Sequence, residues 1–495
     1  MKKSKSIIVI LVMVVLLVGL PSYAKAEEIV TEEVATNYLT VHEKAIANGE
    51  SFELQLPSGM NCNYTIEGNY YCVGVQRSEY TTSLWITGYS SGEATIVVWF
   101  YDQDWNYIAS ESCKVSVIEK GLEESSLICA VGKTAQLHMS GYEQTQAITW
   151  TSSNVAVAKV NEAGLVTGVA KGEADITATC VETDGTVRTY TCRVAISDPK
   201  IKESSGNLAV GCTKELKLTG LQAESTVTLT TSNASVAEVN EYSNSIYAIK
   251  KGTATIKCVV DGVCLTYKVT VTDPEVNVSL VPLVKGKKAK IKVTGTNKNS
   301  TITFKSSTKS IATVDKNGSV TGKKTGCTCI QISVDGKEMS VPVSVGSAKV
   351  INALKYAMDA VGTPYSQAKR MENGYYDCSS LTWRAYHSAG VNIGSKWWAP
   401  TAADIAKTLV QNKKAIAYKA LPVEKMQPGD LLFFAKTDGT DNGRYKNIYH
   451  VGIYCGSNGD AYGSGLLLEA RLCGVGIYTY YPEDRKVVVV ARPTK

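Results

Sequence analysis

Histidine is scarce in this chain, with four in 495 residues. Chemistry that needs an imidazole therefore has few candidates: His42, His138, His387 and His450. The 14 cysteines contain no C-x-x-C pair, which weakens any zinc-ribbon reading. After residues 7–19 no apolar run approaches the roughly 20 residues that span a bilayer. Charge is also in short supply. The net charge is +6, and Lys2, Lys3, Lys5 and Lys25 near the N-terminus supply much of it. A nearly neutral chain with no basic tail argues against nucleic acid as a partner.

The N-terminal segment reads as an export signal. KKSKS (2–6) is a basic lead, IIVILVMVVLLVG (7–19) an apolar core and Ala24-Lys25-Ala26 a small-x-small cleavage site. Residues 1–26 are thus expected to be removed. No cysteine stands at that site for lipid attachment, so a secreted, cell wall associated protein without stable membrane insertion is expected. Export permits disulfides. Cys62 and Cys72 could pair, whereas Cys327 and Cys329 lie on one face of a likely strand, a poor geometry for a bridge. Several other cysteines occupy strand positions where a neighbouring repeat has Val, Leu or Tyr, as small core residues would.

The front of the chain repeats itself. The segments ITWTSSNVAVAKVNEAGLVTGVAKGEADIT (148–177), VTLTTSNASVAEVNEYSNSIYAIKKGTATI (227–256) and ITFKSSTKSIATVDKNGSVTGKKTGCTCIQI (302–332) start 79 and 75 residues apart. A weaker copy ends in LWITGYSSGEATIVVWF (84–100). Short alternating runs of Val, Thr and Ile between Gly, Asn and Asp turns predict small β-sandwiches. TDGT (183–186) and VDGV (260–263) read as hairpin turns. GYSSG (88–92) matches the serine-hydrolase elbow G-x-S-x-G, but it aligns with the β-turn GVAKG (168–172) and lacks the strand-turn-helix setting. The expected sandwiches cover 35–118 (degenerate), 119–197, 198–272 and 273–345.

Beyond residue 348 the pattern changes. KVINALKYAMDAVG (349–362) carries a helical apolar stripe at 350, 353, 354, 357 and 361, stopped by Gly362 and Pro364. SSLTWRAYHSAG (379–390) predicts a second helix. GDLLFFA, HVGIYCG, LLLEARL and VVVVAR follow as strands. Helices and then strands indicate an α+β domain over 349–495. Asp377 is a good N-cap, which puts Cys378 in the first helical turn, where free N–H groups and the helix dipole favour an anion. His387 stands nine residues along the same helix, roughly 13.5 Å away. His42 and His138 belong to the sandwiches. His450 is left as the base for a Cys378 nucleophile. On its strand it shares a face with Gly452 and Tyr454. Glu469, a charge inside an apolar strand, is either the group that orients His450 or the partner of Arg471.

Two resemblances add to these readings. The pattern V-A-x-V…G-x-V-T-G…K-G-x-A-x-I at 155–176 resembles the bacterial immunoglobulin-like group-two domain. V-G-T-P-Y (361–365), Y-D-C-S-S-L (376–381), P-G-D-L-L-F-F (428–434) and H-V-G-I-Y (450–454) resemble the NlpC-type, papain-like cell-wall peptidases. The resemblance implies tandem immunoglobulin-like sandwiches followed by a papain-like cysteine peptidase domain. It implies cleavage of peptidoglycan stem peptides between γ-D-glutamate and a diamino acid, with no cofactor and no metal. It makes Cys378 the nucleophile and His450 the base, and it puts Glu469 where the family usually has a histidine, accepting from His450 Nδ1. Tyr365 would serve the oxyanion. Asp377 and Ser379 would contact substrate, with Thr401 standing in for a family serine whose neighbouring arginine and glutamine are absent here. The repeats would act as spacers or bind wall or surface glycan. The competing expectations are an amidase or transpeptidase on the same fold, and a non-enzymatic adhesin.

Overall fold

The computed structural model describes residues 37–78, 82–142, 147–182, 185–457 and 464–495. The expected leader 1–26 and part of the TDGT turn lie outside the described residues. No helix among the described residues is long and apolar enough to cross a membrane. All of the cysteines, including Cys62 and Cys72, are free thiols.

The chain divides into two compact units. In the first, a four-stranded sheet (Asn61–Gly68, Gly92–Tyr101, Tyr107–Ile118 and Glu43–Ala47) faces a three-stranded sheet (Ser51–Gln55, Ser83–Gly88 and Val73–Arg77). Alternation along the strands sends Leu54, Ile86, Ile96, Val98 and Phe100 into the core between them. The same pairing of a four-stranded with a three-stranded sheet recurs three times in the second unit. The degenerate copy thus has the same plan as the clear ones. Cys113, Cys180, Cys192 and Cys258 are buried on the inward faces of these strands.

Hairpin turns also join one sandwich to the next. In VDGV, Asp261 (φ 47°) and Gly262 (φ 80°) both adopt left-handed conformations, as a two-residue type I′ turn requires. The Asp261 carboxylate accepts from Ser225 Oγ in its own copy (2.7 Å) and from Ser197 Oγ, at the end of the preceding copy (2.6 Å). Asp335 does the same one repeat later. It accepts from Ser300 Oγ (2.8 Å) and from Thr272 Oγ1 (2.7 Å). The last sandwich continues into the α+β domain. Leu280 joins that domain's core, Cys329 Sγ donates to the Ser457 carbonyl (3.0 Å) and Ser344 Oγ donates to the Cys455 carbonyl.

The α+β domain packs three helices, α1 (Ala348–Asp359), α2 (Cys378–Ser388) and α3 (Ala402–Gln411), with a six-stranded antiparallel sheet. Its strand order is Ala415–Ala417, Val487–Ala491, Leu431–Ala435, Ile448–Ser457, Gly465–Arg471 and Gly474–Tyr480. Ser347 caps α1, which buries Val350, Ile351, Ala353, Leu354 and Ala357. The helix ends before Val361, which is exposed rather than part of the apolar stripe. Thr401 caps α3, an element the sequence reading did not contain.

Candidate active site

Cys378 is the first residue of α2. The turn before it is fixed by a capping box: Ser380 N–H donates to Asp377 Oδ1 (2.6 Å), and Asp377 N–H donates to Ser380 Oγ (2.9 Å). Leu381, Ala385 and Tyr386 pull the helix into the core, so the thiol is held at the sheet with 7% of Cys378 exposed. Facing it is the strand Ile448–Ser457, which pairs Phe434 with His450. The His450 ring lies 5.9 Å from that of Phe434, on the strand that packs against α2 and its first residue Cys378.

The second ring nitrogen meets Glu469. His450 Nε2 and Glu469 Oε2 are 2.6 Å apart, with the carboxylate 1% exposed. This reverses the expected ring orientation: Nε2, not Nδ1, faces the carboxylate, and Nδ1 is left for Cys378. Gly452 makes the approach possible, since a Cβ there would lie 3.0 Å from Glu469 Oε2. Glu469 also meets Arg471, whose Nε donates to its Oε1 (2.7 Å). A third partner, Arg485, reaches both carboxylate oxygens (3.1 and 3.2 Å) while its guanidinium lies over the Phe434 ring.

The charges follow from this geometry. Burial works to lower the His450 pKa, but the Cys378 thiol and the Glu469 carboxylate outweigh it and push it up to about 9. Burial works to raise the Glu469 pKa, but His450 and Arg485 outweigh it and hold it at about 2. The arrangement favours an imidazolium beside the Glu469 carboxylate.

The remaining expected residues surround this centre. A small cavity of about 130 Å³ beside Cys378 is lined by Gln367, Arg370, Asp377, Ser379, Thr401 and Arg444, among others. A larger one, about 780 Å³, opens beside His450 and includes Tyr365, Asn442, Arg444 and Arg471 in its walls. Tyr365 is half-buried, and its hydroxyl accepts from Gln367 Nε2 (3.1 Å). Burial raises the pKa of that hydroxyl, Gln367 partly offsets the effect, and Cys378 adds to it. Asp377 and Ser379 are buried and already partnered, with Arg370 Nε 3.0 Å from Asp377 Oδ2 and an Arg370 nitrogen donating to Ser379 Oγ (2.9 Å). Thr401 reaches the cavity, but its hydroxyl donates to Asp404 Oδ2 (2.6 Å) as part of the α3 cap. The segment KTDGTDNGRYKN borders the cleft. Asn447 Nδ2 donates to the Thr440 carbonyl (2.7 Å), and Asn442 N–H donates to Asn447 Oδ1 (2.9 Å).

Two cations escaped the sequence reading. Arg370 comes to Ser379 from the loop before α2, not from the segment after it. Arg485 arrives from the loop ahead of the last strand. Neither has a periodic signal, because loop residues carry no face.

Residues 362–480 match the family model for the NlpC/P60 family, and residues 117–189 that for the bacterial Ig-like domain (group 2). Ice-binding protein 1 of Shewanella frigidimarina is 23% identical over 421 residues, 78% of this chain and 45% of that protein. Peptidoglycan DL-endopeptidase CwlO of Bacillus licheniformis is 33% identical over 126 residues, 26% of this chain and 22% of that protein. The chain therefore spans less than half the length of either relative. Among solved structures, domains 1–6 of surface layer protein SbsC align over 61% of this chain and 53% of that one, at 19% identity and a TM-score of 0.14.

Proposed function

The chain carries bacterial Ig-like repeats in front of an NlpC/P60 domain, and from that premise we propose that it is a secreted, wall-associated peptidoglycan hydrolase. In this reading it cleaves stem peptides at the γ-D-glutamyl–diamino acid bond. The observation that carries the reading is the buried His450–Glu469 pair on the strands that pack against the capped start of α2, where Cys378 is the first residue.

Cys378, as thiolate beside the His450 imidazolium, attacks the carbonyl carbon of the stem-peptide amide. The Cys378 N–H at the helix start and the Tyr365 hydroxyl stabilise the oxyanion. His450 gives its proton to the leaving amine as the C–N bond breaks, leaving an acyl-cysteine. Water loses a proton to His450, attacks the thioester and frees the thiolate. Glu469 stays ionised throughout and holds the ring. The steps need no cofactor or metal. In the cavity beside Cys378, Arg370 is paired with Asp377 and Arg444 adds a further cation, which suits the free carboxylate of a γ-linked glutamate.

Purified peptidoglycan and mass spectrometry of the released fragments test the reading. Stems ending in D-glutamate are expected from the wild-type chain and not from Cys378→Ala. Equal digestion by the two overturns the mechanism. Intact stems detached from sugar assign an amidase, and new cross-links a transpeptidase.

A further inference from the structure

The first sandwich differs from its copies on one outward face. The register of its three-stranded sheet sets two rows across that face: Ser51, Thr87 and Gly74, then Glu53, Trp85 and Gln76. Trp85 is 45% exposed, while Leu84 and Ile86 on either side of it are fully buried. Tyr89 is 62% exposed and lies across Gly74, where a Cβ would sit 2.4 Å from the phenol oxygen. Only glycine at 74 lets that ring lie against the sheet. The Tyr89 N–H donates to the Cys72 carbonyl (2.7 Å), which fixes it beside the turn bearing Tyr70 and Tyr71. Those two exposed rings are 4.1 Å apart, with their hydroxyls hydrogen-bonded at 2.6 Å.

The other repeats act as an internal control. Trp85 aligns with Leu165, Ser245 and Ser319, and Tyr89 with Val169, Ile249 and Lys323. Among the described residues of those copies, Tyr247 is the ring that stands on the corresponding face, at the Thr87 position. The fold therefore does not require the aromatic face. An exposed ring offers a flat apolar surface, and each here is set among hydroxyl, amide and carboxylate groups. The two rows contain no aliphatic side chain, which a protein-docking core would have. They contain no Lys or Arg, which an acidic polymer would need. The complement of such a face is uncharged, flat on its C–H side and rich in hydroxyls.

We propose that this face binds an uncharged polysaccharide of hexose or N-acetylhexosamine units, with sugar rings laid on Trp85 and Tyr89 and hydroxyls or amides met by Glu53, Gln76 and the Ser51–Thr87 pair. The site needs nothing from Cys378 and stands apart from the hydrolase reading. That reading enters only in suggesting that the glycan is the wall's own.

The test uses the full chain with Cys378→Ala, so that no substrate is consumed. Binding is measured to an N-acetylglucosamine tetramer by calorimetry and to protein-free peptidoglycan by sedimentation. Trp85→Ala and Tyr89→Ala are each expected to weaken binding at least tenfold with an unchanged melting temperature, and Tyr247→Ala to leave it as it was. Trp85→Phe, which keeps a ring and the fold, is expected to retain most of the affinity. No binding to either probe, or equal binding by Trp85→Ala, overturns the proposal. Retention on protein-bearing wall alone gives the face to a protein partner and also overturns it. Sugar binding intact in a wild-type chain that cleaves no wall would sink the catalytic reading and leave this one standing.

Discussion

Glu469 holds one imidazole and two guanidiniums from inside a strand, so its ionisation sets the charge of the whole site. The His450 pKa of about 9 lies above its unfolded value near 6.5. The stability this contributes is fully present below about pH 6.5 and lost as pH rises through about 9. The Glu469 pKa of about 2 lies below its unfolded value near 4.3, so its share is present above that value and lost as pH falls through about 2. Activity against soluble stem peptide is therefore expected to hold from neutral pH and fall near pH 9. In Glu469→Gln, Arg471 and Arg485 would face the imidazole without an intervening anion. The alkaline limb should move to lower pH and kcat/KM should drop by roughly two orders of magnitude; an unmoved limb would remove Glu469 from the orienting role. Gly452→Ala would crowd the carboxylate and is expected to cost about tenfold in kcat, since small misplacements of an aligned group are expensive. Stopped assays and a thermal melt on the same sample separate that loss from unfolding. These residues were legible because each breaks a pattern: a cysteine behind a cap, a glycine beside a histidine, a charge in an apolar strand. The ring nitrogen was not legible, because it depends on side-chain placement that no spacing encodes.

At the scale of elements, α2 works through its start. The capping box fixes where the first turn begins, and so where the Cys378 thiol and N–H point. Ser380→Ala removes one half of the box and is expected to lower stability by about 1 kcal/mol, read as a lower melting temperature. Arg370→Ala leaves Asp377 buried beside an empty cation position and should destabilise more than Ser380→Ala in the same melt. The long strands and the first two helices were readable from apolar period. α3 was not, because Thr401 reads there as a stand-in for a family serine rather than as the cap it forms. The edge strands Ala415–Ala417 and Gly474–Tyr480 were missed as well. One is three residues long, and the other runs from two buried residues into three half-buried ones, so neither shows a clean period of two.

At the scale of the second unit, the last sandwich and the α+β domain share buried hydrogen bonds and core, so that sandwich is not a detachable spacer. Residues 347–495 expressed alone are expected to melt several degrees below residues 273–495, because the cover over Tyr454, Cys455 and Ser457 is gone. Equal melting temperatures by calorimetry would refute that dependence. Between the sandwiches the join includes one hydroxyl given by the copy before and one turn aspartate supplied by the copy after. At the hand-over to the α+β domain, Gly346 occupies the place of Ser197 and Thr272, and the hydroxyl is absent. The copy 198–272 thus carries a socket at one end, Asp261, and a plug at the other, Thr272. A duplication or deletion of that copy keeps every plug beside a socket, so copy number can drift by single modules without a new interface having to arise. Reach becomes a heritable quantity that varies in steps while the chemistry at the far end stays untouched.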